Sequence, residues 1–192
     1  MILGLCGSLL AGKDTVCDYL VSKGFAKFVF SDVIRGELIK EGIAETRANM
    51  QAKGNELREK FGSGFIAEKL VEKIKQSNSK LALVSGVRNP GEVEELKKQE
   101  GFFLISVDAP LELRYKRGLE RKDSKDFVSF EEFKNLDARD KGLEQKESGQ
   151  QNGKAMQMAD FTIQNSGSEK ELFEKVEEIL EKIESKVPES LD

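Results

Sequence analysis

The sequence contains no histidine among its 192 residues. That absence removes the imidazole base of Ser-His and Cys-His catalysis and the commonest nitrogen ligand of zinc. Cysteine is scarce too: the chain has two, Cys6 and Cys17. Both fall in apolar stretches, the pattern of small buried residues in a reduced, cytoplasmic protein rather than of a disulfide framework. A basic excess is also missing. The net charge is −4 and the pI near 5.3, so the chain lacks the electrostatic footprint of a nucleic-acid binder; only the basic run 114–122 points that way. No apolar run approaches the roughly 18 residues that cross a membrane. The first one begins at Ile2, so no signal peptide is expected. Chemistry is left to phosphate electrostatics, carboxylates and lysine.

What the chain does have is an alternation of short apolar runs with helical patterns, the signature of a parallel sheet with crossover helices. The strands are expected at 2–6, 26–30, 80–84, 102–107 and 161–164. A helix near 90–99 has Asn89 as a candidate N-cap and Pro90 at its first position. The last helix, near 169–185, opens with the capping-box pair Ser168 and Glu171, and Leu172, Val176, Ile179 and Leu180 give it an apolar face. Residues 31–77 hold two or three helices, more than a crossover needs. Residues 122–153 are almost wholly polar, and a polar connection of that length reads as a lid. The whole is expected to be one domain, 1–192.

The most telling segment is Gly7-Ser-Leu-Leu-Ala-Gly12-Lys13-Asp14-Thr15. It follows an apolar strand and opens a helix, the context a phosphate-binding loop requires. The glycines let successive N–H groups surround phosphate oxygens, the helix N-terminus adds partial positive charge, and Lys13 reaches the outer phosphates. Asp14 stands where such loops usually carry a Ser or Thr, and Thr15 follows as the candidate ligand for a metal.

Arginines fall where a phosphoryl-transfer site needs them. Arg35 and Arg88 lie just past the second and third strands, at the carboxyl edge where the ligand crevice of a parallel sheet opens, and a guanidinium grips phosphate bidentately. Arg117 and Arg121 are four apart on one helical face, with Arg114 one turn earlier, and Arg139 lies within the polar segment. Asp32 has three readings: ordering waters around Mg²⁺, serving as a general base, or capping the following helix. At the end of the third strand Ser85 stands where an acid is usual. Asp108 ends the fourth.

These motifs resemble the nucleoside monophosphate kinase group of P-loop kinases. Gly12-Lys13-Asp14-Thr15 is similar to adenylate kinases and, with its Asp, to deoxynucleoside monophosphate kinases. Asp32 and Arg35 match an Asp-x-x-Arg that binds acceptor phosphate. Gly86 and Arg88 are similar to an Asp-Gly-x-x-Arg, with Ser85 for the Asp and the arginine one position closer. Asp108, Pro110, Arg117 and Arg121 match a segment that stacks the donor base and stabilises the transferring phosphoryl. The stretch 46–58 resembles the acceptor-binding helices of deoxynucleoside monophosphate kinases, which implies Gln51, Asn55 and Arg58 as acceptor contacts. Asp160 to Gly167 is similar to the closing segment of dephospho-coenzyme A kinases, which implies Asn165 against the donor adenine. Arg88-Asn-Pro-Gly-Glu also resembles dephospho-coenzyme A kinase-like proteins of archaea and bacteria.

The resemblance implies a three-layer α/β P-loop NTPase fold with a five-stranded parallel sheet in the order 2-3-1-4-5. Residues 31–77 would bind the acceptor and 122–153 would form the lid. The expected reaction moves the γ-phosphoryl of ATP, with Mg²⁺, to a nucleoside or deoxynucleoside monophosphate. Gly7, Ala11, Gly12, Lys13, Asp14, Thr15, Arg117 and Asn165 would hold ATP, and Thr15 and Asp32 the metal. Arg35, Gln51, Asn55, Arg58 and Arg88 would hold the acceptor. Lys13, Asp32, Arg117, Arg121 and Arg139 would act in transfer. Two alternatives stand beside it: phosphorylation of a hydroxyl as in dephospho-coenzyme A kinase, with Asp32 as base, and an ATP-binding switch with little kinase activity. The protein is expected as a monomer or homodimer, with no membrane partner.

Overall fold

The computed structural model describes residues 1–120, 129–143, 146 and 149–186. Five strands form one parallel sheet in the order β2-β3-β1-β4-β5, with β1 at Ile2–Gly7, β2 at Ala26–Val29, β3 at Ala82–Ser85, β4 at Phe102–Asp108 and β5 at Phe161–Gln164. This is the strand order the motifs imply. β1 is central, and Leu5 pairs with Ser85 on one side and Ile105 on the other. A strand buried on both faces reads as a continuous apolar run, which is why β1 and β4 stand out in the sequence.

The two faces carry separate cores, sorted by the period-two alternation of β1. Leu3 and Leu5 point to the face covered by α1 (Lys13–Ser22) and α9 (Glu169–Glu184), packing with Val16, Leu20, Val176 and Ile183. Cys6 points to the other face. There it meets α2 (Phe30–Lys40), α3 (Arg47–Phe61), α4 (Phe65–Ser77), α5 (Pro90–Lys97) and α8 (Asn152–Gln157), through residues such as Ile34, Leu57, Leu70, Val93 and Ala155. The remaining helices, α6 (Leu111–Glu120) and α7 (Phe130–Asp140), pack on each other.

Local signals set the helix boundaries. Asn89 accepts from Gly91 N–H at 2.9 Å with Pro90 at the first position, and the Glu92 carboxylate reaches back to the Asn89 N–H at 3.1 Å. Ser168 caps α9 by accepting from Glu171 N–H at 3.3 Å. Ser129 and Glu132 form a capping box at the start of α7. Several strand ends differ from expectation: β1 and β4 each run one residue further, to Gly7 and Asp108, and β3 starts at Ala82. β2 stops at Val29 because Phe30 opens α2 directly, and β3 runs to Ser85. The segment 31–77 holds three helices, α2 to α4. The described part of 122–153 holds α7 and the start of α8, and it is docked: Phe133 is fully buried, and Gly153 N–H donates to Lys141 O.

Candidate active site

The strand order reverses at β1, whose neighbours β3 and β4 belong to opposite halves of the sheet. A crevice at the carboxyl ends of the strands opens at such a point, and the glycine loop 7–12 occupies it. Gly7 has φ +143° and Gly12 has φ +99°. A Cβ on Gly7 would lie 2.0 Å from Val107 O, and one on Gly12 would lie 2.3 Å from the Asn165 side-chain nitrogen. Both positions therefore require glycine. Leu10, at φ 58°, also sits in the left-handed region, a strain that persists only where surrounding structure enforces it.

That structure is a set of side chains gripping the loop's carbonyls. Asn152 Nδ2 donates to Gly7 O at 2.8 Å, Arg114 Nη1 to Leu9 O at 3.1 Å, and Asn165 Nδ2 to Ala11 O at 2.8 Å. Side chains from α8, α6 and the turn after β5 thus hold the carbonyl side of the loop, and the Ser8 and Ala11 N–H groups bond to Val107 O and Ser8 O; a backbone concavity of this kind binds anions. Lys13 closes the loop by donating to Gly7 O at 2.8 Å and Ser8 O at 2.7 Å. Burial pushes the Lys13 ammonium down from its ordinary pKa, and the nearby Arg88 charge adds to that; Asp140 and Asp14 oppose it. A desolvated cation beside a second cation is a site for a highly charged anion.

The structure brings some of the sequence-derived residues to this loop. Arg117 donates through Nη2 to Asn165 O at 3.0 Å, and its buried Nη1 has no partner among the described residues. Asn165 lies against Gly12 and is tied to β4 through Asp108 O at 2.7 Å. Arg88 reaches the loop through Asp140, donating from Nη1 to Oδ1 at 3.1 Å. Thr15 falls in the first turn of α1, and Asp14, beside it, is exposed.

Other residues are engaged elsewhere. Asp32 lies in the first turn of α2 rather than at a strand end, and it does not cap that helix. Its carboxylate pairs with Arg35, which also donates to Glu45 at 2.7 Å. Arg58 is buried and donates to Glu92 Oε1 at 3.1 and 2.7 Å. The other Glu92 oxygen accepts from the backbone N–H of Arg88 and Asn89, so Arg58 braces the turn that carries Arg88. Asn55 keeps a buried oxygen without a partner among the described residues, Gln51 is exposed on α3, and Arg139 is exposed on α7. Arg121 lies outside the described residues. Arg114, grouped in the sequence with the phosphate-facing arginines, is 2% exposed and forks onto both oxygens of Asp137. Asp108 caps its own turn by accepting from Ala109 N–H at 2.9 Å. Ser85 sits against the Cys17 thiol. Burial pushes the Cys6 thiol up to about 12 and raises Cys17 also, so neither is a nucleophile.

Sequence reasoning missed Asp140 and Asn152. Asp140 Oδ2 accepts from Asn152 Nδ2 at 2.9 Å, the same amide that holds Gly7 O. A signal existed: Phe133, Asp137 and Asp140 share one helical face, and all three are buried.

The phosphate-type loop, its lysine and the 2-3-1-4-5 sheet together define a P-loop NTPase of kinase-like fold. A family model described as AAA domain matches residues 2–142. A UPF0200 protein of Methanoregula boonei is 33% identical over 184 residues, covering 95% of this chain and 97% of that protein. A UPF0200/UPF0201 protein of Archaeoglobus fulgidus is 36% identical over 190 residues, and there the chain spans only 57% of the relative's length. The chain belongs to the AAA-domain P-loop NTPases and to the UPF0200 proteins. Among solved structures, TT1252 from Thermus thermophilus matches with TM-score 0.62 at 19% identity, over 95% of this chain and 97% of that one. Shikimate kinase from Acinetobacter baumannii matches with TM-score 0.54 at 18% identity, over 93% and 92%. These likenesses concern the fold.

Proposed function

We propose that the protein transfers the γ-phosphoryl group of ATP to a nucleotide-like acceptor, a nucleoside or deoxynucleoside monophosphate. The observation that carries this reading is the closed glycine loop. Lys13 is parked on two carbonyls of its own loop with the Arg88 charge nearby, and Arg117 is held on Asn165 O, whose side chain grips Ala11 O of the same loop. Phosphate oxygens are stronger acceptors for an ammonium than carbonyls, so an entering triphosphate draws Lys13 off Gly7 and Ser8. The loop amides and the α1 N-terminus then hold the remaining phosphate charge. The Nη1 of Arg117, buried and without a partner among the described residues, is the donor this reading assigns to the transferring group. Fixed donors of this kind act without reorganisation at the moment of transfer.

The acceptor fits a polar cleft of about 640 Å³ beside the Arg88 turn, lined by residues including Arg58, Asn89, Gly91, Lys146, Gln151 and Lys154. Its size suits a small ligand, and its lining mixes Lys146 and Lys154 with Glu59 and Glu94. A phosphate acceptor arrives ionised and needs no base, whereas a hydroxyl does. Asp32, the base that a hydroxyl acceptor was expected to use, is exposed and paired with Arg35, which favours the phosphate.

Mg²⁺ takes few protein ligands, all oxygen, and shares the rest with phosphates and water. The Thr15 hydroxyl on the loop side and the Asp140 carboxylate beside Lys13 suit that demand. Bound with the nucleotide, the ion would neutralise charge on the outer phosphates.

The test is label transfer from γ-labelled ATP to each nucleoside and deoxynucleoside monophosphate and to dephospho-coenzyme A. Labelled nucleoside diphosphate from one base class is the expected result. Label only on coenzyme A would replace this reading with hydroxyl phosphorylation, and ATP binding without transfer to any acceptor would favour the switch.

A further inference from the structure

We propose that Asp140, delivered from α7, is the acid of the phosphoryl-transfer site, and that it and the Asn152 side-chain oxygen are ligands for the divalent cation that enters with the nucleotide. The proposal rests on the phosphotransferase reading and replaces the role expected for Asp32.

Three observations converge. The first is the state of the alternatives. The end of β3 carries Ser85, which is turned to Cys17, and Asp32 is exposed in an ion pair with Arg35. The second is the placement of Asp140. It is 8% exposed, its Oδ1 accepts from Arg88 at 3.1 Å, and its Oδ2 accepts from an amide that also holds the first loop carbonyl. Its charge acts on Lys13. Asp140 is also the last residue of α7, where the helix end carries partial negative charge that favours a cation.

The third is Asn152 itself. It is 2% exposed, and its Oδ1 is buried with no partner among the described residues. The orientation of this amide is fixed by chemistry. Its nitrogen faces Gly7 O and Asp140 Oδ2, two acceptors, and the reverse orientation would set oxygen against oxygen. A desolvated oxygen without a donor is costly, and a hard cation is the ligand that uses one. One carboxylate, one amide oxygen, Thr15 and the phosphates make a donor set of the kind Mg²⁺ accepts. Arg88 now occupies the Asp140 oxygen. With a cation held on that oxygen, Arg88 would be free to bind phosphate.

Mn²⁺, followed by the loss of its free paramagnetic signal, reports metal affinity without turnover when ADP is the nucleotide. Asp140→Asn is expected to weaken Mn²⁺ binding to the ADP complex by about 10–100-fold while ADP binding in EDTA stays at the wild-type level. Asp32→Asn is expected to leave Mn²⁺ affinity unchanged. Wild-type Mn²⁺ affinity in Asp140→Asn, or its loss in Asp32→Asn, would overturn the assignment alone. Loss of metal-free ADP binding in Asp140→Asn would also overturn it, by making the acid a prop for the loop. Wild-type protein that binds no ADP would overturn the phosphotransferase reading along with it.

Discussion

Arg114 and Arg117 stand one turn apart on α6, and burial gives them different work. Arg114 is sealed between the loop and Asp137, while a donor of Arg117 has no partner among the described residues. Sequence spacing put them on one basic face and could not separate them, because the partner that claims Arg114 lies 23 residues away on another helix. Removing one member of a buried pair leaves the other charge uncompensated, so Arg114→Met should destabilise the fold by about 3–5 kcal/mol, read from urea unfolding. Arg117→Ala should unfold like wild type and lose phosphoryl transfer by about 10³-fold or more, the scale of a transition-state arginine. Asp137 adds a pH signature. Burial alone would raise its pKa, but hydrogen bonds and charges from Arg114 and Lys141 outweigh that and hold it below the usual carboxylate range. A depressed folded pKa gives stability that is present above the unfolded value and lost as pH falls through the folded one. The gap in urea midpoint between wild type and Asp137→Asn should therefore be full at pH 7 and shrink steadily below about pH 4.

At the scale of elements, the glycine loop was legible because its geometry is written in local sequence: Gly7 and Gly12 sit where only glycine fits, and Lys13 starts α1. Gly12→Ala forces a side chain into the left-handed region and against Asn165; calorimetry should show weakened ATP binding together with a lowered unfolding transition. The docking of the described residues between 129 and 157 was not legible. Its polar residues read as solvated, yet Asp137, Asp140, Gln151 and Asn152 are buried: Asp137 and Asp140 take the Arg114 and Arg88 guanidiniums, Asn152 holds Gly7 O, and the Gln151 side chain folds back onto Lys146 O. α5 shows the same contrast. Its cap was readable in Asn89-Pro90, but Glu92 proved to be fully buried, holding Arg58 and two backbone amides. Asn89→Ala should cost about 1 kcal/mol, whereas Glu92→Ala, which strands Arg58, should cost about 3–5 kcal/mol.

For the whole molecule, the strands themselves were legible, since parallel strands buried on both faces read as apolar runs, while the order 2-3-1-4-5 came with the resemblance to P-loop kinases and is the order observed. What the sequence could not supply was which polar residues the two faces would bring to the crevice. That convergence makes the central claim testable at one residue. Lys13 now rests on Gly7 and Ser8 carbonyls, and the account has it move to ATP phosphates. The direct measurement is a calorimetric titration of ATP into wild type and Lys13→Met. A lost charged hydrogen bond is worth about 1.5–3 kcal/mol, so the substitution should weaken ATP binding by about 10–150-fold while the unfolding transition stays in place. Equal ATP affinity in the two proteins would contradict the account.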